Sequence, residues 1–136
     1  METPSIKERC DIIEECYEYL LAYAAQGLVS DEGSESGRQA RHLLGRAEQA
    51  LEGIAEAYSA AAREARLEPA KDYDAFISVL ERDASDSRAA IRLVLAQPSL
   101  SSQLIDNLNA SIHLRALLTD LFLLDEVYKT QKLLPV

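Results

Sequence analysis

The chain has few of the residues on which most familiar chemistries are built. Two cysteines, two histidines, five glycines and four prolines are all it offers among 136 residues, and each shortage narrows the reading. So little glycine and proline leaves too few turn signals for an all-β fold, so composition favours helix. Cys10 and Cys16 lie on one helical stretch, point different ways and cannot bridge within it. Both read as small buried hydrophobes in a reducing compartment. No Cys-x-x-Cys, no His pair at i,i+4 and no Glu-x-x-His occurs; the residues three before His42 and His113 are Gln39 and Ala110. The di-iron pattern of helical bundles is therefore missing, and a transition metal has little to build from. We expect no cofactor and no metal site.

Bases are scarce as well. Fourteen Lys and Arg stand against 23 Asp and Glu, a formal charge of −9, and residues 1–36 alone hold nine acids against Lys7 and Arg9. Such a chain is repelled by phosphate backbones and by anionic lipid, which disfavours nucleic-acid and membrane roles and leaves a protein partner, basic or helical in character. Long apolar runs are also lacking, because the richest stretch is broken by Thr119, Asp120 and Asp125. Nothing at the start reads as a signal peptide. The expected location is cytoplasmic.

What the chain does have is helical periodicity. Thr3-Pro4 reads as an N-cap followed by a first helical position. Ile6, Cys10, Ile13, Tyr17, Leu20 and Ala24 then repeat every three or four residues, giving a helix over about 4–27 that Gly27 closes. A Ser-, Gly- and acid-rich loop follows. Leu44, Ala47, Leu51, Ile54, Tyr58, Ala61 and Ala65 form a coiled-coil-like seam along a second helix, 35–67, closed by Pro69. Gly45 and Gly53 fall off that seam, each costing about 1 kcal/mol against Ala in a helix interior. Tyr73, Phe76, Ile77, Leu80, Ala84, Ile91, Val94 and Leu95 share one arc of a third helix, 71–97, with Ser87 turned inward and expected to bond a carbonyl one turn back.

The fourth helix, 99–132, capped by Ser99, Ser101 or Ser102, is the spine of the chain. Its apolar residues change side. Leu104, Ile105, Leu108 and Ile112 share one arc, whereas Leu114, Leu117, Leu118, Leu121, Phe122, Leu124 and Tyr128 lie on another, displaced by roughly 120°. One core needs one stripe, so the shift predicts two sets of neighbours or a kink near Ser111. Pro135 closes the chain. The resulting expectation is one all-α domain spanning 1–136, a four-helix up-down-up-down antiparallel bundle with long helices.

Function is read from the faces. The wide second arc of helix four, with Leu114, Leu117, Leu121, Leu124 and Tyr128, has more apolar surface than three neighbours need and reads as a contact with another protein, first of all a second copy. The acidic stripe of helix one, Glu8, Asp11, Glu15 and Glu18, is a docking stripe for a basic partner or simply a solvated face. Both fit an adaptor or chaperone-like binding bundle without catalysis. An alternative centres on His42, which lies opposite the seam beside Gly45 with Arg38, Arg41 and Arg46 around it. The stretch loosely resembles the His-x-x-Lys-Gly pattern of histidine phosphotransfer domains, although the glycine stands three residues on rather than four and the lysine is absent. The resemblance implies a bundle presenting a phosphorylatable His42 to a partner's aspartate. A second alternative is an enzyme with a polar site around His113, Asp106, Asn109 and Asp120.

Overall fold

The structure, a computed structural model, describes residues 3–133. Six helices and no strand occur among the described residues: α1 Ile6–Ala25, α2 Glu35–Leu51, α3 Ile54–Glu64, α4 Ala70–Leu95, α5 Ser102–Ala110 and α6 Ile112–Thr130. The protein is all-α, as composition implied. Helices two and four, expected to be continuous over 35–67 and 99–132, are each broken once. Pro135 lies outside the described residues.

Each break is centred on a particular residue. At the first, Glu52 turns extended and Gly53 takes φ +78°, a left-handed conformation that a glycine reaches without strain. The glycine that looked expensive inside a helix is thus the residue that ends one. At the second, Ser111 is at once the C-cap of α5 and the N-cap of α6; its hydroxyl accepts from Leu114 N at 3.3 Å. The break at Ser111 is where the apolar arc changes side. Side-chain caps start three of the other helices, Ser5 for α1, Ser34 for α2 and Ser101 for α5, whereas α4 begins at Pro69 without one. Ser5 replaces the expected Thr3, because its hydroxyl is the one placed three residues before a free amide, that of Glu8.

Neighbouring helices run in opposite directions. Tyr19 donates to Ser36 O while Arg9 reaches Ala50 O, so α1 and α2 are antiparallel. Glu48 of α2 pairs with Arg88 at 2.9 Å and Arg92 at 2.7 Å, and Arg41 reaches Leu95 O, which sets α4 against α2. Ser87 donates to His113 O and Tyr73 packs on Tyr128, so α4 and α6 oppose each other. Tyr23 donates to Leu100 O at 2.7 Å, tying the end of α1 to the turn before α5. The Ser87 bond corrects the expected i−4 back-bond: its hydroxyl, 1% exposed, satisfies a carbonyl of α6 instead.

The connection after α1 is not a free loop. Asp31 accepts from Arg41 Nε at 2.6 Å and from Leu100 N at 2.7 Å, Ser30 accepts from Ser99 at 2.8 Å, and Ser102 N donates to Leu28 O at 2.8 Å. Two loops are thereby laced together over one end of the molecule. The bond from Arg41 holds the Asp31 carboxyl below the usual carboxylate range. Gly37 is needed here for space, since a Cβ would stand 2.3 Å from Asp31 Cβ.

Candidate functional site

The five interaction residues named from helix four are interior. Leu114, Leu117, Leu121, Leu124 and Tyr128 are all buried in the core formed by this chain itself, and of the five Leu124 also lines a groove between α4 and α6. The surplus apolar surface lies instead beside them. Phe122 is 58% exposed, Leu123 51% and Ile112 74%. Two of these had been placed on inward arcs; the break at Ser111 rotates Ile112 outward, and Phe122 sits at the edge of an arc too wide for its neighbours to cover.

Leu123 forms one wall of an open groove of about 400 Å³ between the first turns of α4 and the last turns of α6. Pro69, Tyr73 and Phe76 supply the α4 side, a stripe at helical spacing, and Leu123, Leu124 and Val127 supply the α6 side. The two polar residues of the lining, Glu68 and Asp72, are both acids. Behind Tyr73 of the lining stands a tyrosine stack. Tyr128 meets Tyr58 edge-on at 5.1 Å and Tyr73 at 6.4 Å between ring centroids, and its hydroxyl donates to Tyr58 O at 2.8 Å.

On the α1 side of α6 lies a polar cluster. The Tyr58 hydroxyl donates to Asp125 Oδ1, and Cys10 Sγ lies 3.4 Å from the same hydroxyl. Burial pushes the Cys10 thiol up to about 12 and raises Tyr58 as well, so both keep their protons at neutral pH. A thiol so held is no nucleophile. Glu14 is also raised, first by burial and then by Asp125. Cys16 is buried and likewise pushed up to about 12 by desolvation. No group of three or more His, Cys, Asp or Glu that would hold a metal ion occurs among the described residues.

The remaining candidates are scattered. Glu8, Asp11, Glu15 and Glu18 are exposed along α1, with Asp11 paired to Lys7 at 2.8 Å. His42 is exposed, but its neighbouring cations are engaged: Arg38 with Glu35, and Arg41 with Asp31 and the carbonyls of Leu95 and Gln97. Arg46 is exposed. The polar group around His113 is divided, since His113 and Asp106 are exposed whereas Asn109 and Asp120 are buried. Asp120 belongs with Asp83 of α4; burial, then Asp83 beside it, pushes its carboxyl up to about 7.

One buried polar residue, Arg9, escaped the sequence reading although its spacing marked it, and Asp120, placed there on the polar face with His113, is interior. Arg9, Ile13, Cys16, Leu20 and Tyr23 recur at 4, 3, 4 and 3, so Arg9 is the first position of the inward stripe. Its guanidinium donates to Ala50 O, Glu52 O and Pro4 O, capping the broken end of α2 where the helix dipole favours a cation. Asp120 likewise stands three residues after Leu117 and four before Leu124. Comparison of the chain with family models, curated proteins and solved structures finds no match. No described helix is long and apolar enough to cross a membrane.

Proposed function

We propose that this protein is a non-catalytic binding module, of adaptor or chaperone kind, whose docking surface is the groove between α4 and α6. One observation carries the reading: an open apolar cleft of about 400 Å³, walled by the half-exposed Leu123 and by Tyr73, which packs on the buried Tyr128, stands on a molecule whose acid–base groups are dispersed or held protonated. Exposed apolar surface gathered in one concave place marks interaction sites, whereas scattered single residues do not. In this reading the six helices act as four antiparallel rods in an up-down-up-down bundle, α2 with α3 and α5 with α6 each forming one broken rod. The opposed contacts of α1, α2, α4 and α6 support that arrangement. We place the protein in the cytoplasm, in keeping with its two buried free thiols.

A photoreactive amino acid at position 123, compared with one at the exposed Leu93 outside the groove, tests the docking surface. The expected result is a discrete protein adduct at position 123 that Val127→Glu removes. Absence of an adduct, or equal adducts at both positions, would overturn the proposal.

A further inference from the structure

We infer that the occupant of this groove is an amphipathic helix carrying lysine or arginine along one edge of its apolar face. The inference rests on the docking role proposed above and specifies the chemistry of the partner. Two features of the groove select it.

The first is the backbone of the walls. Both are α-helices, whose amides and carbonyls are bonded internally beyond the first turn of α4 and along α6, so neither offers a strand edge. An extended peptide would find no strand edge to pair with and would leave its own backbone groups unsatisfied against an apolar floor. A helix satisfies its own backbone. The stretch from Pro69 to Phe76 is about two helical turns, roughly 10 Å, so the partner would insert anchors at i, i+3 or i+4 and i+7, as helices lying in grooves do.

The second is charge. The polar residues lining the groove are Glu68 and Asp72, with no base among the lining. Glu68 uses Oε2 to accept from Ala70 N at 3.3 Å, and no salt bridge engages either acid among the described residues. Lys129 of α6 is not among the residues lining the groove. Both acids of the lining thus stand without a salt bridge among the described residues, on a chain of net charge −9. A helix with acidic flanks would bring like charges together beside an apolar surface, whereas one with basic flanks would gain two ion pairs at the edge of a desolvated contact.

The test uses two fluorescein-labelled probe peptides of about 18 residues, long enough to hold helix. They have the same leucine face and are flanked by lysine in one and glutamate in the other. Each is titrated with the full chain and followed by anisotropy, with circular dichroism confirming that every variant is folded. The lysine peptide is expected to bind about tenfold more tightly at low salt, a margin that shrinks as salt rises. Leu123→Glu should abolish binding of both, and Glu68→Gln with Asp72→Asn should bring the two peptides to about equal affinity. Equal binding of both peptides to the wild type would overturn the charge inference and leave the docking surface standing. Lysine-peptide binding that survives Leu123→Glu would reduce the effect to the net charge of the chain and overturn it. If neither peptide binds and light scattering shows a dimer that Leu123→Glu dissolves, the occupant is a second copy. If neither peptide binds and Leu123→Glu changes nothing, the docking surface falls with it.

Discussion

Asp120→Asn is the substitution that tests how the α4–α6 contact is held together. Asp120 is 6% exposed and faces Asp83, and the burial and the second carboxyl push it from an ordinary 3.8 up to about 7. The folded state thus binds this proton more tightly than the unfolded chain. The resulting stabilisation is fully present below about pH 3.8 and is lost as the pH rises through about 7. At about 1.4 kcal/mol per tenfold change in proton affinity, the whole difference is worth about 4 kcal/mol. Asp83 is only half-buried, and solvent on its side screens the pair, so about 2 kcal/mol is the working figure. Asparagine removes the charge and sets an amide donor against the Asp83 carboxylate. Urea unfolding of both proteins from about pH 4 to about pH 8 should show the variant gaining about 2 kcal/mol on the wild type across that interval. Subtracting one curve from the other cancels Glu14, which is also raised, and Asp31, which Arg41 holds low. Curves that stay parallel to within about 0.5 kcal/mol would refute the reasoning, for Asp120 would then ionise as it does in the unfolded chain.

Three further substitutions probe the frame around the groove. Arg9→Met removes the donors to Ala50 O, Glu52 O and Pro4 O and should cost about 2–4 kcal/mol, read as a lower denaturant midpoint at unchanged slope; a wild-type midpoint would mean the end of α2 is satisfied by other means. Gly37→Ala puts a Cβ where Asp31 Cβ and its backbone already stand, so a loss of about 1–3 kcal/mol on thermal unfolding is expected, and none would show that the laced loops give way freely. Leu121→Lys buries a charge among core residues and should abolish the cooperative helical melt, at a cost above about 4 kcal/mol. A folded variant that sheds a dimer would instead place Leu121 on an outer face.

Much of the frame was legible because its causes are local. Cap serines, the stop at Gly27 and the three- and four-residue repeats depend on residues within a turn or two, and the change of arc at Ser111 marked a break before any neighbour was known. The same periodicity overreached where the outcome depended on something far along the chain. Gly53 broke the second helix at the point where Arg9, 44 positions earlier, supplies the cap for the exposed carbonyls. Phe122 was assigned inward by its angle on the helix, yet no neighbouring helix covers it.

What the sequence determined by itself is the all-helical class, the shared arc of Leu114, Leu117, Leu121, Leu124 and Tyr128 on their helix, and the negative charge that narrows the choice of partner. What only the tertiary structure decided is what stands across from each face: that those four leucines and the tyrosine meet their own chain, that Asp120 meets Asp83, and that Leu123 and Phe76 border an open groove. The physical reason is that periodicity gives an angle around a helix axis, which is a property of neighbouring residues, whereas burial depends on how closely another helix approaches that angle.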